Sequence, residues 1–289
     1  MKYYLPAIRS NKEGFAELAK LKDALSHSID DELILDFSKC AFFDANMAAS
    51  LKAVLAALKI KAVSLKSLSP KVECILKKNR FLSEYGFPLI RDTNQTALPY
   101  QCFQSFDHLV FDQYLRTHLS GKGIPEMSPR LNKQFRQSIF EIFENCAAHS
   151  MSSPGIFVCG QFFPRLNRLD LTIADAGVGI RTNVRRFLKK QVSSIYAIRW
   201  AIKKGNTTKI GSQPGGFGLA LLKNFIKHNQ GKIQIVSRQG FYEFSHGKNK
   251  FEKLDLDFPG TTINLEINTN DNNSYCLSSE ISSDDHLLK

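Results

Sequence analysis

Two glycine-rich turns, each joined to a different kind of regular element, most restrict how this chain can fold. The first turn, Asp175-Ala-Gly177-Val-Gly179, follows an apolar strand pattern at residues 169–174. The second turn, Gly215-Gly216-Phe-Gly218, opens a helical pattern at residues 219–228. Glycine permits positive φ angles and a close approach of the backbone to another group. We therefore expect an α/β domain with a pocket that both turns border.

A helical pattern before the first turn carries three polar residues at intervals of four. Its apolar residues recur with helical spacing between positions 135 and 146. Glu141, Asn145 and His149 share one helix face, because residues follow one another at about 100° around a helix. Alone, this pattern also fits an ordinary amphipathic helix with a solvated polar face. Its interpretation therefore depends on the turns that follow it.

Each of the two turns has chemistry that part of a nucleotide could use, and the first turn alone also fits a plain exit from a strand into a turn. Backbone amides at the start of a helix bind phosphate well, and Gly218 lies at such a position. A buried carboxylate at Asp175 can accept a hydrogen bond from an exocyclic amine such as that of adenine. The second turn lacks the Gly-Lys-Ser/Thr ending of a Walker A loop and the βαβ setting of a Rossmann fingerprint.

Residues 1–90 alternate between strand and helix patterns, which predicts a first, small α/β layer. Residues 126–268 form the second domain of this two-domain α/β prediction, and residues 91–125 form a connector between the two domains. Residues 106–119 of the connector have helical spacing. Residues 269–289 are rich in Asn, Ser and Asp, which predicts a disordered tail.

The first domain resembles a STAS domain, the fold of anti-sigma factor antagonists. The resemblance rests on Leu33-Ile-Leu-Asp36, on Phe42-Phe-Asp44-Ala45-Asn46-Met47 and on residues 72–81. In that family the second motif reads Asp-Ser-x-Gly, and its serine is the phosphorylated switch. Here Ala45 occupies the serine position, and alanine cannot accept a phosphate. The resemblance also implies a protein partner or self-association through this domain.

The order of motifs over residues 126–268 resembles the GHKL ATPase family, which includes histidine kinases, anti-sigma serine kinases, gyrase, MutL-type repair proteins and large heat-shock chaperones. The shared order is a helix with Glu-x-x-x-Asn, a strand into Asp-x-Gly-x-Gly, Gly-Gly-x-Gly-Leu into a helix, and a late strand that starts at Gly260-Thr-Thr. The resemblance implies an α/β sandwich of the Bergerat type, with a mixed sheet covered by helices on one face. It also implies ATP and Mg²⁺ as ligands.

The resemblance assigns the reacting end of the nucleotide to the helix and to the second turn. Glu141 would orient or deprotonate the attacking water, and Asn145 would ligate Mg²⁺. His149 would approach the phosphates, although a surface histidine is an equal alternative. Backbone amides at the start of the following helix would bind the phosphates, and this role falls to Gly216, Gly218 and Leu219.

The resemblance assigns the adenine end to the first turn and to the late strand. Asp175 would hold the adenine amino group, and Gly177 and Gly179 would shape that wall of the pocket. The family often has a threonine beneath the adenine, which is Thr261 or Thr262 here, and we assign Thr262 to the site. Residues 181–214 would form a lid over ATP.

The positive charge of the chain is concentrated around this lid. The formal net charge is +12, from 39 basic and 27 acidic residues, yet no Asp or Glu occurs between Ala176 and Tyr242. A solvated basic face and a surface for an anionic partner are both consistent with this stretch. Nucleic acid bound through residues 181–238, an acidic protein and the phosphates of the nucleotide all stay open as partners.

Composition excludes several other classes of protein. The six cysteines form no Cys-x-x-Cys pair, which favours free thiols and argues against a structural metal. No apolar run approaches the roughly 20 residues that span a membrane. The amino terminus lacks the apolar core of a signal peptide. We therefore expect a cytoplasmic protein that does not bind membranes.

Three functions stay open at this point. The first is a slow Mg-ATPase that acts as a conformational or regulatory switch. The second is an anti-sigma-type serine/threonine kinase that acts on a partner STAS protein. The third is a non-hydrolysing nucleotide sensor whose basic surface binds nucleic acid. A histidine kinase is disfavoured, because His108 and His118 lack the sequence context of a phosphoacceptor helix.

Overall fold

The computed structural model describes residues 1–26, 31–58, 60–203, 205–206 and 218–280 of the chain. These residues form an α/β structure with a three-stranded parallel sheet and a five-stranded antiparallel sheet. The predicted α/β class is therefore confirmed. None of the helices in the described part of the chain combines the length and apolarity that crossing a bilayer requires.

The small sheet and its helices come from the first 85 residues. The strands run in the order β1-β2-β3, and the elements are β1 (Lys2–Tyr4), α1 (Lys12–Leu25), β2 (Glu32–Asp36), α2 (Met47–Ala57), β3 (Ala62–Lys66), α3 (Pro70–Lys78) and a 3₁₀ helix at Phe81–Tyr85. The predicted alternation of strands and helices in this segment is confirmed. Strand β1 was not predicted, because three residues are too few to show a period.

The large sheet carries the rest of the chain. Its strands lie in the order β4-β5-β6-β8-β7, with β4 (Ala97–Phe103), β5 (Ile156–Phe163), β6 (Arg168–Asp175), β7 (Lys232–Ser245) and β8 (Lys248–Asn268). All four neighbouring pairs are antiparallel. The expectation of a mixed sheet is therefore wrong. A physical reason is that β5–β6 and β7–β8 are joined by short turns, which reverse the direction of the chain.

One face of the large sheet is covered by helices that follow β4 in the chain. They are α4 (His108–Leu119), α5 (Pro129–His149), α6 (Gly179–Leu188), α7 (Ser194–Ala201) and α8 (Gly218–Asn229). On this face Ile173, Ile235 and Leu265 share a core with Phe143 and Leu222. Helix α5 begins at a Ser128 cap followed by Pro129, two favoured residues for those positions.

The opposite face of the large sheet is covered by α1 and α2 of the first 85 residues. Phe15 of α1 lies against Phe241 and Phe258, with ring centroids 6.3 Å and 6.1 Å apart. All three side chains are buried in one apolar cluster that also contains Leu35 and Val236. The two segments predicted as separate domains therefore share a continuous core.

A buried polar network crosses the same contact. Asn46 is fully buried, and its Nδ2 donates to Thr172 Oγ1 at 2.9 Å and to Asn264 Oδ1 at 3.0 Å. Asp44 accepts a hydrogen bond from Arg168 at 3.0 Å. Ala45, at the position that the STAS resemblance gives to the phosphoserine, is 1% exposed. This loop therefore faces the large sheet rather than solvent.

Two segments differ from the sequence expectation. The predicted connector, residues 91–125, supplies the edge strand β4 as well as the expected helix, which the structure places at His108–Leu119. The predicted disordered tail packs against the helices up to residue 280, where Tyr275 lies 5.4 Å from the Phe225 ring and its carbonyl accepts from Ser128 N. Residues 281–289 lie outside the described residues.

Candidate functional site

A cleft opens on the face of the large sheet that α5 and α8 cover, between α5, the α6–α7 segment, the start of α8, the end of β6 and the part of β8 at Thr261 and Ile263. Side chains that are far apart in the sequence meet there. The residues assigned to the site from sequence that line this cleft are Glu141, Asn145, His149, Asp175, Gly179 and Leu219. The three polar residues of α5 thus face the cleft, as their shared helix face predicted.

Glu141 contacts the amino end of α8 inside the cleft. Its Oε2 accepts a hydrogen bond from the backbone N–H of Gly218 at 2.8 Å. A Cβ at position 218 would lie 2.4 Å from this oxygen, so a side chain there would displace the Glu141 carboxylate from its present position. A carboxylate at the start of a helix is stabilised by unpaired amides and by the helix dipole. The start of α8 therefore accepts an anionic oxygen.

Asp175 ends β6 at the inner wall of the cleft and is 2% exposed. Its Oδ1 accepts from Gly177 N at 2.8 Å, and Cys146 also lines the cleft. Burial raises the pKa of Asp175 to about 6, while the hydrogen bond from Gly177 opposes that rise. The carboxyl therefore changes its charge close to neutral pH.

The glycines of the first turn are required by packing. A Cβ on Gly177 would lie 1.9 Å from the Ser150 carbonyl oxygen, which also accepts from Val178 N at 2.8 Å. Gly179 has φ of +77°, and a Cβ there would meet Ser237 Oγ at 2.8 Å. The turn is therefore pressed between the end of α5 and β7. Gly179 lines the cleft, whereas Gly177 lies behind the lining and holds the turn in place.

The assignment of Thr262 to the cleft is wrong. Thr261 pairs with Asp175 across the β6–β8 ladder and lines the cleft. Thr262 pairs with Ala174, and both side chains point to the opposite face, where Ala174 belongs to the core shared with α1 and α2. Because successive strand residues alternate between faces, a shift of one residue exchanges the two threonines. Thr261 therefore takes the position beside Asp175.

Part of the predicted phosphate turn and part of the predicted lid lie outside the described residues. Gly216 lies outside the described residues, as do the neighbouring residues 207–215 and 217. The described part of the predicted lid forms α6 and α7, which make up one side of the cleft. Gly218 and Leu219, the end of the Gly-Gly-x-Gly-Leu motif, lie at the start of α8 as predicted from the helical pattern.

The donors in the cleft are of the kind that Mg²⁺ prefers. The described residues contain no cluster of three or more His, Cys, Asp or Glu side chains that would hold a metal on its own. Mg²⁺, however, takes oxygen ligands and is often bound by one or two protein groups together with substrate phosphates. Asn145 is exposed on the same face of α5 as Glu141, so its amide oxygen fits that role.

The sequence analysis missed several residues of the cleft. Asn183 donates to the His149 carbonyl at 2.9 Å and so fixes α6 against the end of α5. Asn206 donates to the Trp200 carbonyl at 2.9 Å. The apolar part of the wall that was missed consists of Ile142, Ile180, Val184, Ile202, Ile235 and Ile263. The predicted lid, residues 181–214, contains part of this wall, but the sequence did not show which of its side chains face the cleft.

Comparison with known proteins gives no family for this chain. No protein-family model matches it, and no curated protein matches it as a relative.

Proposed function

We propose that the cleft binds Mg-ATP and that the protein is a slow ATPase of the GHKL type that acts as a conformational switch. The observation that carries the proposal is the Glu141–Gly218 contact in the cleft that Asp175 also lines. It combines a carboxylate able to activate water, a helix start that accepts anionic oxygen, and an acceptor for an amino group. These are the groups that ATP hydrolysis requires.

The adenine end of the proposal rests on Asp175 and its surroundings. Adenine has two apolar faces and an exocyclic amine that donates hydrogen bonds. Ile142, Ile180 and Ile263 give the cleft apolar walls, and Asp175 supplies a buried acceptor beside them. A buried acceptor discriminates well, because a ligand without the donor leaves it unpaired. This arrangement supports adenine over a base that has a carbonyl at the same position.

The phosphate end of the proposal rests on the start of α8. The Gly218 amide binds the Glu141 carboxylate in this structure, and a phosphate oxygen would form the same kind of charge-assisted hydrogen bond. We infer that phosphate takes over the amide and releases Glu141 toward water. Asn145 and the nucleotide would hold Mg²⁺, which neutralises phosphate charge when bound. Glu141 would have to leave the Gly218 amide before it could act on water. Such a step is consistent with slow turnover and with a conformational switch.

The experiment uses the single tryptophan as a reporter. Trp200 lines the cleft, so titration with ATP and Mg²⁺ should change its fluorescence, and calorimetry gives the affinity independently. ATP labelled at the γ-phosphate should then release free phosphate slowly. Absence of binding in both assays would overturn the proposal. Label transferred to a protein in place of free phosphate would replace the ATPase part with phosphotransfer.

Asp175→Asn supplies the matched variant for the adenine end. An amide nitrogen cannot accept the hydrogen bond of an exocyclic amine, so we expect weaker ATP binding and a smaller preference for ATP over GTP. Asp170→Asn is the control, because Asp170 lies on the same strand but on the opposite face. Equal ATP affinity of Asp175→Asn and the unmodified protein would remove Asp175 from the site.

A further inference from the structure

Between Ala176 and Tyr242, where no Asp or Glu occurs, some described cations bind groups elsewhere in the fold and others form no ion pair. On β7, Lys232 pairs with Glu266 at 2.9 Å and Arg238 pairs with Asp257 at 2.8 Å. On α8, Lys223 donates to Asn249 at 2.9 Å. These cations are therefore used within the fold. The positive charge that is available for a partner lies elsewhere in the stretch.

Most of that charge lies on residues 179–203, which we call the α6–α7 lobe, and the one further described cation is the exposed Lys227 on α8. Its seven cationic side chains form no ion pair with a carboxylate anywhere in the described part of the chain, and they are Arg181, Arg185, Arg186, Lys189, Lys190, Arg199 and Lys203. Two of them have other contacts within the fold, because Arg185 donates to the Val192 carbonyl at 2.9 Å and the Arg199 guanidinium lies 4.6 Å from the centre of the Phe251 ring. None of the seven lines the nucleotide cleft. The lobe contributes Ile180, Asn183 and Trp200 to the cleft instead. A nucleotide bound in the cleft therefore does not account for the cations.

Exposed aromatic rings lie among these cations. Phe187 on α6 is 47% exposed and Tyr196 on α7 is 50% exposed. The Phe187 ring lies 5.5 Å from the Trp200 ring, and Trp200 follows Tyr196 by four residues on α7, so these two share a side of the helix. Exposed aromatic rings on the same lobe as cations are available for stacking with the bases of a nucleic acid.

We propose that the α6–α7 lobe binds single-stranded nucleic acid. Proteins that bind single strands combine a positively charged track for the backbone with aromatic side chains on which bases stack. The parts of this combination on the lobe are the exposed rings of Phe187 and Tyr196 and the exposed cations Arg186, Lys189, Lys190 and Lys203. An acidic polypeptide would use the cations and leave the rings unused. A duplex would also leave them unused, because its bases are already stacked.

The test measures binding of labelled oligothymidylate of about 16 nucleotides by fluorescence anisotropy. The full chain is used without ATP, so the result does not depend on the proposed nucleotide site. We expect binding that is tighter than to a duplex of equal length and that weakens steeply between about 50 and 200 mM salt. Phe187→Ala and Tyr196→Ala should each lower the affinity about five-fold or more through lost stacking.

Paired charge variants test where the strand lies. R186Q/K190Q should flatten the slope of log affinity against log salt by about 0.7 for each cation lost, hence by about 1.4. The control K71Q/R165Q removes two exposed cations outside the lobe and should leave the slope unchanged. The circular dichroism spectrum verifies that each variant folds.

Three results would overturn the proposal. The first is no oligonucleotide binding at the lower salt concentration. The second is equal loss in R186Q/K190Q and in the control variant, which would mean diffuse attraction. The third is unchanged affinity in Phe187→Ala and Tyr196→Ala together with displacement of the strand by polyglutamate, which would identify an acidic polypeptide as the partner.

Discussion

The Glu141 carboxylate accepts a hydrogen bond from the Gly218 amide at 2.8 Å, which joins α5 to the amino end of α8 across the cleft. The same carboxylate is the proposed base, and the same amide is a proposed phosphate ligand. Under the proposed function, binding of phosphate and release of the base would be one event. The contact makes different predictions for binding and for turnover.

Glu141→Ala should separate these two quantities. Loss of a general base costs about 100-fold or more in rate, so γ-phosphate release should fall by that amount. ATP affinity should stay equal or rise, because the variant removes an anion that competes for the Gly218 amide. Glu144→Ala on the same helix is the control, since Glu144 is outside the cleft lining. Unchanged turnover in Glu141→Ala would remove the base assignment.

ATP affinity should depend on pH through Asp175. Its pKa is raised to about 6, so the carboxyl is largely protonated at pH 5 and largely ionised at pH 7. Only the ionised form has both oxygens available to accept from an amine, and binding should weaken by up to about ten-fold from pH 7 to pH 5. The affinity for adenosine, followed by Trp200 fluorescence at each pH, measures this dependence. Adenosine is used because it has no phosphate groups that change their protonation over the same pH range. A dependence that persists in Asp175→Asn would contradict this explanation.

The shared core predicts a single unfolding transition. Phe15→Ala, in the first 85 residues, removes a ring packed on Phe241 and Phe258 and should lower the free energy of unfolding by about 3–5 kcal/mol. The loss should appear equally in circular dichroism and in Trp200 fluorescence, which reports from the other end of the chain. Phe106→Ala, at a ring that is 76% exposed, should change little. Two separate transitions would contradict a common core.

Disrupting the buried polar network at the same contact should lower the free energy of unfolding by a smaller amount. Asn46→Ala leaves Thr172 and Asn264 with one donor fewer in a buried setting, and the expected loss is about 1–3 kcal/mol. Denaturant titration measures it. Asn249→Ala is an exposed comparison, where water replaces the lost bonds. An equal loss of unfolding free energy in the two variants would mean that the buried hydrogen bonds of Asn46 contribute no more to stability than exposed ones.

Local patterns were sufficient to predict most elements and part of the cleft. Helix α5 and the strand before Asp175 were predictable because their hydrophobic residues recur regularly over the whole element. Strand β4 was not, because Pro99 interrupts it. The structure accommodates that proline at a register shift on the edge of the sheet, one of the few places where a strand tolerates it.

Pairing between distant segments limited the remaining predictions. Two adjacent threonines follow Gly260, and only the register against β6 shows that Thr261 shares a face with Asp175. The docking of α1 and α2 on the large sheet was missed for a related reason. The sequence indicates which side of a helix is apolar but not which of several apolar surfaces it meets.

The face of the large sheet beneath α1 has a consequence for how chains of this kind can be recombined. A cut at residue 90 would leave Val236, Phe241 and Phe258 without their cover. A donor segment in a chimaera would then have to bring matching partners for Asn264, Thr172 and those rings, or the product would aggregate. The two halves can therefore diverge in sequence only together.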